Sequence, residues 1–318
     1  KKSKIRNNHL NSTIMKTSIY KFAILTAIVL VGKFVNGQGC SDAGFCTLNS
    51  FKPNSSDSVS VVKNQFKVGF TYGTADYSIS IFGNYLEYNR QVSDKFTFDA
   101  KITSLAQSGN DISEIGLSDI YLNVNYKIFE KAKISIGTKI PLADGNKILN
   151  DLSLPMDYQS SLGTFDIIIG VGFEVKKIQC VAAIQQPVTQ NKNEFLSEKY
   201  PADSELRNFQ STNKYKRSGD VLFRVSYPIM LGDKFKITPS ILPIYHLQDD
   251  KYTDGSGVER MIDGSQGLTL NGNAFFDYEI NEKNALQLNV GAPFVVRDAR
   301  PDGLTRGLVI NFEYRIKF

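Results

Sequence analysis

After residue 60, apolar and polar positions alternate with period two along most of the chain. Phe66, Val68, Phe70 and Tyr72 share one face while Lys67 and Thr71 take the other, and Phe96, Phe98, Ala100 and Ile102 oppose Thr97, Asp99, Lys101 and Thr103. Ile120, Leu122, Val124, Tyr126 and Ile128 stand against Asp119, Asn123, Asn125 and Lys127; Ile134, Ile136 and Ile140 against Lys133, Ser135 and Lys139; Phe165, Ile167, Ile169, Val171 and Phe173 against Asp166, Gly170 and Glu174. The pattern returns with Val221, Phe223, Val225 and Tyr227 against Asp220, Arg224 and Ser226, and with Leu286, Leu288, Val290, Ala292 and Phe294 against Gln287, Asn289 and Arg297. Successive side chains of a pleated strand point to opposite sides, so this period predicts strands, and no helical period competes with it. Twelve strands are predicted, near 64–73, 77–91, 94–106, 116–129, 132–142, 161–176, 178–189, 215–230, 233–248, 266–280, 284–297 and 305–318. Residues 77–91 and 178–189 alternate less cleanly, which a bulge in either would explain.

The connections say what the strands build. Ser93-Asp94-Lys95, Glu130-Lys131-Ala132, Lys176-Lys177, Gly232-Asp233 and Asn281-Glu282-Lys283 are tight turns. The intervening breaks at 107–115, 143–160, 190–214, 249–264 and 298–304 are long and polar, with only the first, near Gly73–Asp76, short. Short and long connections taking turns, with an even strand count, describe an up-and-down sheet that has all its tight turns at one end. Segments of ten residues or more outrun the five or six usual in a soluble sandwich and match a tilted crossing of a bilayer. The expected fold class is therefore all-β, a transmembrane up-and-down antiparallel β-barrel of about twelve strands.

The last stretch, LTRGLVINFEYRIKF, keeps the alternation to Phe318. In lipid every backbone polar group needs an internal partner, so a sheet can span only when its last strand pairs with its first. With its apolar face to lipid and its charged face to the lumen, this segment is predicted to close the ring. The strand GLSDIYLNVNYKI and the ending FEYRIKF resemble those of Gram-negative outer-membrane β-barrel proteins. By that resemblance Tyr314, Ile316 and Phe318 form the signal read by the barrel-insertion machinery. More narrowly, Gly116-Leu117-Ser118-Asp119 leading into a strand that reaches Tyr126 is similar to a turn in barrels related to fatty-acid and aromatic-hydrocarbon transporters.

The front of the chain reads differently. From Met15, MKTSIYK is a short basic segment and FAILTAIVLVG an apolar core too short to span a bilayer, with Val35-Asn36-Gly37 before Gln38, the pattern of a secretory signal peptide. Residues 1–14 are expected to be an upstream extension, 15–37 the signal peptide, 38–62 a periplasmic or plug segment and 63–318 the barrel. In the barrels of fatty-acid transporters that last kind of segment is a hatch folded into the lumen, and the resemblance extends the possibility to 38–62. In an oxidising compartment Cys40 and Cys46 are the disulfide candidates. Lipidation at Cys40 is disfavoured, because Gly37-Gln38-Gly39 precedes it.

Composition changes the picture at one point. The net charge of +5 would suit a nucleic-acid partner, but residues 1–37 hold seven Lys and Arg and no Asp or Glu. Without them 30 basic residues face 32 acidic ones, so the expected partners are outer-membrane lipid and a small-molecule solute, with no nucleic acid. The predicted lumen face carries Lys67, Lys101, Lys127, Lys139, Arg224, Arg297 and Arg315 against Asp99, Asp119, Asp166, Glu174, Asp277, Glu279 and Glu313. Such groups either line a water-filled path or pair across a narrow lumen and fill it.

Enzyme and metal readings find less support. A twelve-stranded outer-membrane phospholipase relies on a His–Ser pair, but His246 in KITPSILPIYHLQ is the single His after the leader, falls on the lumen phase and is followed by no HxSNG-like stretch. One His excludes a multi-His zinc site. The loop DDKYTDGSGVERMID offers Asp249, Asp250, Asp254, Glu259 and Asp263 but puts Tyr252 where an EF-hand needs an acid, so it is expected to be a solvated surface loop with no metal. The expectation is a non-catalytic barrel for small-molecule passage without a cofactor; the alternative is a non-conducting scaffold that presents loops 143–160 and 190–214 to a secretion or surface complex.

Overall fold

Twelve antiparallel strands close on themselves in the computed structural model, which describes residues 48–53, 63–303 and 307–318. They are β1 (Asn64–Thr74), β2 (Ser80–Gln91), β3 (Phe96–Gly109), β4 (Ile112–Phe129), β5 (Ala132–Pro141), β6 (Asp166–Val175), β7 (Ile178–Pro187), β8 (Asp220–Ser226), β9 (Phe235–His246), β10 (Gly267–Glu279), β11 (Asn284–Val295) and β12 (Val309–Lys317). Each strand pairs with its neighbours in the chain, and β12 pairs with β1 in a register that sets Phe66 opposite Ile316 and Phe70 opposite Phe312. A three-residue strand, Ile229–Leu231, continues β8 along β9 beyond a break at Tyr227-Pro228. The closing ladder runs to the last residue: the Phe318 N–H donates to Asn64 O at 3.0 Å and the Asn64 N–H to Phe318 O at 3.1 Å. Closure leaves no open edge, which is what makes a transmembrane sheet possible.

The alternation seen in the sequence is the alternation of inside and outside. On β6, Asp166, Ile168, Gly170 and Gly172 are buried in the lumen while Ile167, Ile169, Val171 and Phe173 are 42–47% exposed on the outer wall. Apolar side chains facing outward on every side form a surface that only lipid can cover at low cost.

Three expectations need correction. Residues 107–115 are not a long loop: β3 and β4 run on to a two-residue turn at Asn110-Asp111, whose φ angles of 52° and 60° are the left-handed pair of a type I′ hairpin. Polar residues there misled because this hairpin rises past the apolar band. Neither 77–91 nor 178–189 contains a bulge, since β2 and β7 pair in unbroken register on both sides. Their alternation looked poor because Ile81, Tyr85, Val181 and Ala183 are apolar residues turned inward. The register shifts lie instead at Ile102/Ser104, Lys127/Phe129 and Leu270/Asn271.

One seam is thin. β8 and β9 pair at Asp220–Leu222 and again at Val225–Ser226, but not where Phe223 and Arg224 face Pro243 and Leu242. Pro243 has no N–H to offer its neighbour, which accounts for part of the gap.

The long connections 142–165, 188–219 and 247–266 gather over one end with residues 296–303. Leu154, Tyr158, Phe195, Leu206 and Phe209 pack with Ile79 and Ile81, and Met156, Leu162, Tyr215 and Ile262 form a second cluster. Irregular backbone can be buried there because side-chain amides complete its hydrogen bonds: Asn193 Nδ2 donates to Gly145 O at 2.9 Å and to Leu154 O at 3.0 Å.

Candidate solute path through the lumen

The lumen is not an open tube. Residues 48–53 lie inside it, with Phe51 1% and Leu48 2% exposed. Phe51 sits on Gly170 of β6, where a Cβ would collide with its ring, and Leu48 and Phe51 join Tyr121, Ile168, Val181, Ala183, Leu222, Leu242 and Ile244 in one apolar cluster. The Phe51 carbonyl accepts from an Arg224 Nη on β8. Thus one face of the segment is greasy and meets an apolar wall formed by β4 and β6–β9.

Its other face is polar. Asp99 on β3 accepts from Ser50 Oγ at 3.0 Å, Asn89 Nδ2 at 2.6 Å, Asn125 Nδ2 at 2.8 Å, Asn123 Nδ2 at 3.3 Å and Asn49 Nδ2 at 3.5 Å. A buried carboxylate surrounded by neutral donors is satisfied without a cation in contact. Lys67 Nζ donates to Asn49 Oδ1 at 2.7 Å and pairs with Glu87 at 2.9 Å. Lys52 Nζ pairs with Glu313 Oε2 at 2.8 Å; Glu313 also takes bonds from Tyr85 Oη and Arg315 Nε, and Arg315 Nη1 reaches Asp277 at 2.9 Å. Burial pushes the Lys52 ammonium below its ordinary range, and the Glu313 carboxylate pulls against that shift.

The segment separates two cavities, and Lys52 lines both. Toward the short turns lies a vestibule of about 450 Å³ lined by Lys95, Lys127, Lys131, Lys133, Glu130 and Glu174 among others. Toward the loops lies a chamber of about 150 Å³ lined by Tyr85, Lys101, Asp119, Tyr121, Lys139, Asn273, Asn289 and Asn311, and roofed by Gln159–Leu162 and Asp302-Gly303.

Every residue predicted for the lumen face can now be placed. Lys67, Asp99, Lys101, Asp119, Lys139, Asp166, Arg224, Asp277, Glu313 and Arg315 are buried inside the barrel, whereas Arg297, past the end of β11, is buried among the loops. Lys139 pairs with Asp166 at 3.0 Å, Asp119 accepts from Ser118 and Ser161, and Lys101 lies 4.1 Å from the centre of the Tyr85 ring. Lys127 and Glu174 stand at the vestibule mouth, and Glu279 lies at the short-turn rim, where Lys317 approaches to 3.2 Å. Of the two open alternatives, Lys67, Lys139, Asp166, Asp277, Glu313 and Arg315 take the paired arrangement, whereas Asp99 and Asp119 are held by neutral amides and hydroxyls. Tyr314 and Ile316 are half-buried on the outer wall and Phe318 is exposed. Cys40, Cys46 and the predicted signal peptide lie outside the described residues; Cys180 carries no disulfide.

The aspartate-rich loop is not wholly a surface loop as expected. Asp250 is fully buried and accepts from His246 Nε2 at 2.8 Å, Tyr215 Oη at 2.7 Å and the Ser218 N–H at 2.8 Å. His246 Nδ1 faces Asp220 at 2.7 Å, Asp220 pairs with Arg217 at 2.6 Å, and Arg297 pairs with Asp302 at 2.9 Å. This chain of ions clasps three of the long loops together above the chamber. Burial, with Asp250 beside it, holds the Tyr215 phenol well above its usual range; for Arg217 burial is outweighed by Asp220 and Asp302, which hold it charged. Asp220, His246, Arg297 and Glu313 were reachable by phase, but Arg217, Asp250, Asp302 and Lys52 escape the sequence because they lie where no alternation runs. Glu87 and Tyr85 were reachable, since both keep phase on β2.

The closed twelve-strand sheet and the apolar outer wall together define a transmembrane up-and-down β-barrel. The chain resembles an outer-membrane channel from Pseudomonas putida F1, with a TM-score of 0.60 and 12% identity over 84% of this chain and 99% of that one. The NanC porin (TM-score 0.46, 9% identity, 80% and 100% covered) and the CymD monoaromatic hydrocarbon channel (0.39, 8%, 80% and 88%) are more distant in shape. No family model and no curated protein matches the chain.

Proposed function

We propose that this protein is an outer-membrane channel that passes a small molecule without catalysis, its short turns toward the periplasm and its long loops outside. The observation that carries this reading is the seating of residues 48–53 between two lumenal cavities, which turns the barrel into a path with a removable obstruction. An enzyme reading loses its one candidate, because both ring nitrogens of His246 are taken by carboxylates and neither is left to activate a hydroxyl. The test is ion conductance of residues 38–318 in a planar bilayer beside the same barrel lacking residues 38–60. Larger or more frequent steps from the shortened form are expected. Silence from both, with folding shown by a heat-induced gel shift, overturns the channel.

The thin seam between β8 and β9 supports a second reading, in which an apolar solute leaves the lumen sideways into lipid. Cysteines at Phe223 and Pro243, joined by oxidation, would then stop apolar uptake while leaving ionic conductance intact.

A further inference from the structure

The charges around the upper chamber are spoken for, and so are the amides of Asn311 and Gln159, but those of Asn273 and Asn289 are not fully so. Lys52 bonds Glu313, Lys139 bonds Asp166, Asp119 takes two serine hydroxyls, Asp302 pairs with Arg297 and Lys101 lies over the Tyr85 ring. Asn273 on β10 is 6% exposed, lines the chamber, and has no hydrogen-bond partner on either Nδ2 or Oδ1. Asn289 on β11 also lines it with an unpartnered Oδ1. Register makes these a patch: Ser240 lies directly opposite Asn273, Phe275 separates Asn273 from Asn289 along the wall, and Asn311 is opposite Asn289. Ser240 Oγ and Asn271 Oδ1 are unpartnered as well. Gly291 makes room for the group, because a Cβ there would collide with the Asn273 amide. On β9 and β10 the inward residues between the Lys236–Asp277 pair and His246 carry no charge.

A buried polar group left unpaired costs about 1–3 kcal/mol, so Asn273 and Asn289, the two of this group that line the chamber, gain from any water or ligand group that completes them. An amide with both polar atoms vacant offers a donor and an acceptor side by side whichever way it is turned. Across the chamber, Tyr85, Leu105 and Tyr121 on β2–β4 are apolar or aromatic, and Val309 beside Gly291 adds an apolar side chain to the amide wall. A cavity of about 150 Å³ holds one ring-sized molecule.

We infer that the chamber is a binding site for a small neutral molecule with an apolar body and a head that both donates and accepts a hydrogen bond, such as a primary carboxamide or an alcohol. Asn273 and Asn289 receive the head, and the tyrosine-lined side receives the body. A carboxylate is disfavoured, since no lysine of the chamber can turn to it without leaving the contact it already makes. The inference deepens the channel reading and rests on it for its purpose, but binding is measured without any flux.

The test is calorimetric titration of the refolded chain, residues 38–318 in detergent, with three probes of one shape: benzamide, benzoate and toluene, each against a micelle blank. Benzamide is expected to bind the native barrel most tightly, and to bind Asn273→Leu about tenfold more weakly, while toluene binds that variant no worse. Equal benzamide binding by the two proteins overturns the site, as does tighter binding of benzoate or toluene than of benzamide to the native chain. If Asn273→Leu shows no heat-induced gel shift, Asn289→Leu takes its place with the same expectations. Conductance of the barrel lacking residues 38–60 is read separately. A probe preference without conductance removes the channel and keeps the site, and conductance without a preference does the reverse.

Discussion

Gly170 decides whether Phe51 has a seat. A side chain at this position would occupy the volume of the Phe51 ring, so Gly170→Val is expected to drive the segment off the wall while β6 keeps its pairing with β5 and β7. Conductance steps resembling those of the barrel lacking residues 38–60 would confirm it; a blocked pore in a folded variant would show that Phe51 is not the stopper. Across the lumen, Glu313 is the anion that Lys52, Tyr85 and Arg315 share. Glu313→Gln leaves buried Lys52 without its contacting carboxylate and Arg315 with Asp277 alone, and should cost about 3 kcal/mol of stability, read from urea unfolding in lipid vesicles. Glu313 could be found by phase alone, as could Lys67, Asp99 and Arg315, because a residue on the polar face of a closed barrel has nowhere to point but inward. Lys52 could not, because residues 48–53 carry no period and their place is fixed only by walls contributed from distant strands.

Among the elements, the β12 strand and the β3–β4 hairpin make separate tests. Phe318 contributes the outermost rung between β12 and β1, so its deletion removes two backbone hydrogen bonds at the point of closure. Slower assembly into lipid vesicles is expected, followed by the heat-induced gel shift; an unchanged rate would leave the terminal aromatic without a role in closure. In the Asn110-Asp111 turn both residues hold a left-handed backbone, and Asn110 Nδ2 also bonds Tyr158 Oη at 3.0 Å. Asp111 is exposed and makes no such contact, so Asp111→Gly should stabilise the barrel by about 0.5 kcal/mol in the same urea assay. Strand positions were legible from alternation because lipid outside and polar groups inside enforce it residue by residue. The ends were less so: β6 starts at Asp166 and β8 at Asp220, five residues inside the predicted 161–176 and 215–230, since the preceding residues turn away to join the loop clusters.

At the scale of the whole molecule the sequence reveals a ring and conceals its contents. Even strand number, tight turns at one end and a closing strand all follow from local pattern and backbone pairing. The roof of loops and the inner stopper depend on contacts between segments far apart in the chain, such as Asp302 with Arg217 or Lys52 with Glu313, for which no short-range pattern exists. Those same two features bear on the cell that carries the protein. If the barrel conducts as proposed, the ionic clasp above and residues 48–53 below stand at the two ends of the chamber like the two doors of an airlock. An envelope could therefore hold many copies without surrendering its permeability barrier to detergents or antibiotics, and the number of copies is free to follow the demand for solute.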